Sequence, residues 1–470
     1  MAAGPKSTRQ TPATLTIGWG LRSGSNPKAA LQLIADLLAS GQLVTLSTNR
    51  RPRPSLARAW STSDDGLVLR LSLKPGLKFH DGRALDSATA VQILKVELPR
   101  ALGPISEDIA GFEVRSDTDF DIKLHRPSAL VLEGLDIAII AEPGSPHIGT
   151  GSYRTTAVSD SGIEMEANQD YHLGRPNIDH VSIRLYPSVR TAWAEMLRGQ
   201  IDMLYEVGLD ALDSLQPSPA VHVYTFTRHY AYTVHFNVRK PPFQDQKVRR
   251  ALNMAVDRKG LVATALQGHG EPDDSSVWPR HWAFDPSAPR FAYQPAEASR
   301  RFANGKSLRF KCLTLDGPPY ERLALELQRQ LQAVGVIMEV EPLPLDKLNA
   351  RWQAGDFEAQ LIELNLGSMG YQYRRWHSGG SDNYGGFSSP LVDSYLDAIR
   401  HSTSDAAYES GMTGFQRAMA ADPPAVFLAW SERARALSRR FDIPVEQGHD
   451  FFGQLWRARP TSGERAASRN

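Results

Sequence analysis

Apolar and polar positions alternate through ATLTIGWG (13–20) and then recur at three- and four-residue spacing through PKAALQLIADLLASG (27–41). The chain therefore opens on a strand followed by a helix that stops at a glycine. Alternation around Pro75-Gly76 predicts a hairpin over 66–79, and SATAVQILKVEL (87–98) reads as a helix capped by Asp86 or Ser87. A strand at HVSIRLYP (180–187) precedes the helix VRTAWAEMLRGQ. Another at HYAYTVHFNV (229–238) leads through Pro241-Pro242 into a long helix that Asp245 is suited to cap. In that helix Val248, Ala251, Leu252, Ala255, Val262 and Leu266 form one apolar stripe, which is core by default. From 307 onward LRFKCLTL, ERLALELQRQLQAVG, VIMEVEPL, DKLNARWQAG and EAQLIELNL restart the pattern as β-α-β-α-β. The class is α/β, and two such lobes most often enclose a cleft between them.

Composition narrows the function. A chain of 470 residues, 41% hydrophobic, can bury a large core and divide into domains. Its 53 basic and 52 acidic side chains leave a net charge of +1, so no global field favours nucleic acid or an anionic membrane. The most basic short run, NRRPRP (49–54), reads as a proline-stiffened surface loop, and the single cysteine, Cys312, as a buried structural thiol. No apolar run approaches the length of a membrane span. Residues 1–12 and 461–470 read as disordered ends. The leader has no apolar signal core, so the chain is expected to be cytoplasmic or to have lost its export signal.

Catalytic and cofactor spacings fail when tested. NGKS (304–307) has the tail of a phosphate loop, but Arg300 stands where that loop needs glycine. His-Glu-x-x-His, Gly-x-Ser-x-Gly, Gly-x-Gly-x-x-Gly and a zinc-type cysteine pair are all missing. His229 and His235 fall six apart on one strand, and a metal would need a third ligand that the sequence does not indicate. No catalytic residue, metal site or cofactor is expected. The pair His80-Asp81 reads as a turn, with Gly82 supplying the conformational tolerance a sharp corner needs.

The segment ARAWSTSDDGLVLRLSLKPGLKFHDGRALDSATAV, with Ala57, Trp60, Ser63, Asp65, Gly66, Gly76, Lys78, Phe79, His80, Asp81 and Gly82 in register, resembles the signature of family 5 extracellular solute-binding proteins. These are the peptide, nickel and opine binders of ABC importers. GTGSYR (149–154), ANQDYHLGRPNIDHVSIRLYP, MLRGQIDM and FNVRKPPFQDQKVRRALNMAVDRKGLV continue the resemblance in order down the chain. It implies a two-lobe periplasmic binding protein fold (type II, cluster C-like) with an extra subdomain and a hinge of two crossing strands, near Phe236–Arg239 and Val426–Trp430. The implied division is 13–48, 146–237 and 428–460 for the first lobe, 49–145 for the subdomain and 238–427 for the second lobe.

The function so implied is capture of a small polar solute in the inter-lobe cleft and delivery to an ABC permease, by a monomer at the periplasmic or extracellular face. A cytoplasmic sensor on the same fold, or a hydrolase in the cleft, is the alternative. Peptide-binding members hold the ligand's ammonium on an acidic residue after the strand matching LIELNL. Here Gly367, Ser368, Met369 and Gly370 follow it, and only a gap would bring Glu363 or Asp382 into that place. The stretch offers Tyr371, Tyr373 and Trp376 for stacking, with Arg374 and Arg375 as guanidinium forks for a carboxylate or phosphate. Trp19, Tyr230, Asn237, Asn383 and Tyr384 complete the candidate ligand-binding set. An anionic or sugar-like solute is expected in preference to a free peptide.

Overall fold

The structure, a computed structural model, describes residues 12–21, 24–142, 145–303, 308–445 and 448–461. The expected disordered ends, save Pro12 and Thr461, and the NGKS run lie outside the described residues.

Local chemistry sets the elements. The helix Pro27–Ala39 starts where Asn26 accepts a hydrogen bond from the Ala29 amide at 3.1 Å, with proline in its first turn. Of the two candidate caps for the helix Ser87–Leu102, Asp86 takes the part, accepting from the Thr89 amide at 2.8 Å. The hairpin expected over 66–79 is displaced. Val68–Leu73 pairs instead with Ala57–Thr62 and with Asp119–Leu124. The first turn closes at Asp65, whose carboxylate accepts from Ser63 Oγ and the Leu67 amide, and Gly66 adopts φ 72° beside it. With Ile109–Val114 these strands make a four-stranded antiparallel sheet.

A second, larger sheet runs through the whole molecule. At its centre lie two long antiparallel strands, Val221–Phe236 and Ala425–Ser438. On one flank follow Met203–Leu204, Thr14–Gly20, His180–Tyr186, Gly162–Ala167 and Tyr153–Val158; on the other, Ala359–Asn365, Leu308–Leu315 and Val336–Leu343. The central pairing breaks register between Thr227 and Ala231, opposite Trp430–Glu432. The break falls within the long strand Val221–Phe236, upstream of the expected crossing at Phe236–Arg239. The alternation continues upstream of His229 through VHVYTFT, so the strand begins at Val221 and its Phe236 end lies within the second lobe.

Each lobe has an apolar core. Leu15, Ile17, Ile34, Val181 and Ile183 anchor the first lobe. The expected stripe from Val248 to Leu266 is buried in the second, with Cys312 in the same core, but it lies on two helices and not one. Gln246–Met254 is capped by Asp245, and after a break Asp257 caps Arg258–Ala265 by accepting from the Gly260 amide at 3.0 Å. A third core joins the four-stranded sheet to the helices Met369–Trp376, Pro390–Arg400 and Asp405–Ala421. There a buried ion pair crosses the junction, Arg400 Nε to Asp108 at 2.7 Å, with Arg126 donating to the same carboxylate at 2.5 Å. Burial works to raise the Asp108 carboxyl, and these arginines outweigh it and hold it below its ordinary value.

Candidate functional site

Alternation along the central strands puts Phe226, Arg228 and Tyr230 on the wall of one cavity, and Arg433 and Arg435 join them from the partner strand. Tyr205 and Glu206 from the first lobe and Glu363 from the second complete a pocket of about 250 Å³. It adjoins a cavity of about 560 Å³ that shares Glu206 and Arg433. Leu21, Val189, Trp193, Pro318, Pro319 and Tyr320 give the larger cavity an apolar wall drawn from both lobes.

An ion network forms the partition. Glu363 accepts from Arg228 Nη2 at 2.7 Å and from Arg433 Nη2 at 2.6 Å, and Arg433 Nη1 reaches Glu206 at 3.1 Å. Burial works to raise the Glu363 carboxyl, but Arg433 and Arg228 overcome it and hold the group ionised, far below the usual carboxylate range. Arg435 donates twice to Asp450, at 2.5 and 2.6 Å, and its guanidinium lies 4.1 Å from the Tyr205 ring centre. The guanidinium of Arg228 likewise covers Tyr230, at 4.4 Å. The result is a charged floor with aromatic sides.

Of the ten residues expected to bind ligand, Tyr230 alone lines either cavity. Trp19 stands behind Tyr205, ring centres 5.5 Å apart. Tyr371 is 40% exposed, with the Arg374 guanidinium 4.9 Å from its ring, while Arg374 itself donates to the Ala101 carbonyl and pairs with Asp382 at 3.1 Å. The other six serve the packing. Tyr373 is buried, its hydroxyl donating to Asp397 and accepting from Arg400. Trp376 is buried and donates to Gln372 Oε1 at 2.7 Å. Arg375 lies in the interior over Trp352, where burial pulls its guanidinium down to about 10. Asn237 donates to the Gly355 and Phe357 carbonyls, Asn383 braces the turn to Phe387, and Tyr384 meets Trp352 edge-on.

The physical reason is periodicity. Residues 369–376 form a helix capped by Ser368, so Met369, Tyr373 and Trp376, spaced i, i+4 and i+7, point into the core together. The stretch is expected from its sequence to be a cleft rim. Arg228, Arg433 and Arg435, which line the smaller cavity, are outside the expected set. Their signal is visible: SERARA places two arginines two apart on an alternating strand, hence on one face.

The expected acidic alternatives are both occupied, Glu363 by two arginines and Asp382 by one. His80 joins its turn to the first lobe, its ring 3.0 Å from the Gly151 carbonyl and accepting from the Gly149 amide. His229 and His235 are packed separately, and burial keeps both neutral, near 3. The His229 ring lies against Gly367, where an added Cβ would come within 2.4 Å of it. Gly367→Ala is therefore expected to cost about 1–3 kcal/mol of stability by overpacking. Chemical denaturation of the variant measures it.

The family model for bacterial extracellular solute-binding proteins, family 5 (middle region), matches residues 51–385, more than half of the chain. The chain belongs to that family. Family 5 proteins are the substrate-binding proteins of ABC importers and not enzymes, which sets the hydrolase reading aside. This family 5 chain is 24% identical to the oligopeptide-binding protein AppA of Bacillus subtilis over 437 residues, 83% of this chain and 80% of AppA. To the glutathione-binding protein GsiB of Pectobacterium atrosepticum it is 24% identical over 432 residues, 82% of this chain and 81% of GsiB. Its fold matches NikZ from Campylobacter jejuni, solved with Ni(L-His), at a TM-score of 0.82 and 21% identity, covering 95% of this chain and 99% of NikZ. Among the described residues no helix is long and apolar enough to cross a membrane.

Proposed function

We propose that this family 5 protein captures a small carboxylate-bearing solute in the cleft above its two central strands and delivers it to an ABC permease outside the cytoplasm. The observation that carries the reading is the smaller cavity, lined by three arginines (Arg228, Arg433 and Arg435) and two glutamates (Glu206 and Glu363), with Tyr205, Phe226 and Tyr230 beside them. Forked guanidinium donors suit a carboxylate. The larger cavity takes the solute's apolar body against Trp193, Tyr320 and Pro318-Pro319. Oligopeptides, glutathione and histidine, the molecules in the relatives' names, all carry a carboxylate.

A specific observation also favours a zwitterionic, peptide-like cargo. Asp316, Glu321 and Glu432 line the larger cavity and offer carboxylates to an ammonium. Thermal-shift titrations with trialanine, N-acetyl-trialanine, N-acetyl-trialanine amide and citrate separate the readings. Compounds with a free carboxylate are expected to raise the unfolding midpoint and the amide is not; saturation at a hundred times Kd would add about 2.7 kcal/mol. Equal stabilisation by the amide, or no response to any carboxylate, overturns the proposal. Loss of binding on N-acetylation alone assigns the cargo to the peptide-like class.

A further inference from the structure

The short hairpin Val44–Leu46 and Pro52–Pro54 turns through Arg50, a non-glycine residue at φ 66°. Left-handed backbone is unfavourable for a long side chain and persists where the surroundings impose it. The run NRRPRP is expected at the surface, yet Arg50 is only 9% exposed. Its Nε donates to the Gly367 carbonyl at 2.9 Å, in the loop that follows the strand Ala359–Asn365. This contact ties the hairpin turn to the second lobe. Among the described residues, Nη1 and Nη2 make no hydrogen bond and the guanidinium makes no ion pair.

The neighbouring carboxyls do not take up those donors. Glu133 accepts from the Tyr408 hydroxyl at 2.6 Å and from Ser368 at 3.4 Å. Asp136 is exposed to solvent and makes no ion pair with Arg50. Burial raises the Glu133 carboxyl. The Gly367 carbonyl that Arg50 holds lies two residues past Asn365, which pairs with Tyr230 on the wall of the smaller cavity. A guanidinium held in a left-handed turn close to that wall, with two donors that no protein group takes, is apt for a ligand.

We propose that Arg50 is a ligand-binding residue, its Nη1 and Nη2 taking the carboxylate of the cargo beside Tyr230. The inference rests on the carboxylate reading of the cleft and names the residue that recognises that group. The test uses citrate as the probe, against sodium chloride at equal ionic strength, on the wild type and on Arg50→Gly. Glycine suits the left-handed turn, so the variant is expected to fold, and Arg50→Asn, which also tolerates that backbone, repeats the measurement. Citrate should raise the wild-type midpoint, and both variants should bind it at least about tenfold more weakly, as the loss of a charge-assisted pair requires. A wild type that ignores citrate and the acetylated acid alike overturns the carboxylate reading, and this inference with it. A wild type that responds while both variants respond equally overturns the role of Arg50 and leaves that reading in place.

Discussion

Glu363→Gln is expected to lower the free energy of unfolding by about 3 kcal/mol, because it removes the shared counter-charge of two arginines held at the cavity floor. The figure stands at the low end of the range for a broken buried pair. Arg228 keeps part of its solvation, its side chain being 30% exposed, and Arg433 keeps Glu206. Guanidinium unfolding curves of the two proteins measure the loss, and a difference below about 1 kcal/mol would show that solvent already screens the network.

The pH dependence follows from the same group. Its folded-state carboxyl is held well below the unfolded value, so the stability it supplies is fully present above the unfolded carboxylate range and is lost as pH falls through the folded value. The acid limb of the stability profile should therefore be shallower in Glu363→Gln than in the wild type. Freed of their internal carboxylate, Arg228 and Arg433 should also bind the carboxylate probes more tightly. Stability and affinity are expected to move in opposite directions, which a simple unfolding defect would not produce.

Trp376→Ala is expected to cost about 3–5 kcal/mol, the range for emptying a large aromatic site in a packed core. The ring is fully buried, edge-on to His235 at 5.2 Å, Phe427 at 6.2 Å and Phe387 at 6.4 Å. Its loss also strips Gln372 Oε1 of its donor, while Gln372 still ties the helix to the Ser276 and Leu366 carbonyls. A tryptophan that stacked on cargo would behave differently: alanine there would weaken binding and leave the unfolding curve nearly in place. Denaturation together with carboxylate titration of the variant distinguishes the two, and a binding defect at unchanged stability would return Trp376 to the cleft.

Periodicity and capping chemistry are local, and the sequence by itself determined what is local. The strand Thr14–Gly20, the helix capped by Asp86, the buried stripe from Val248 to Leu266 and the buried Cys312 were all legible. So was the family, because its motifs are runs of neighbouring residues. Even the inward turn of Tyr373 and Trp376 follows from spacing once the stretch is taken as a helix rather than a rim. Which arginines line the cavity is a different kind of fact. Glu363 receives Arg228 across 135 positions and Arg433 across 70, and Arg50 reaches Gly367 across 317. Whether a guanidinium is taken by a carboxylate or left with open donors depends on through-space distances of a few ångströms. Only the packing of distant segments on a shared sheet sets those distances, so tertiary structure alone decided that Arg374 pairs with Asp382, that Arg375 is buried over Trp352 and that Arg228 and Arg433 line the cavity.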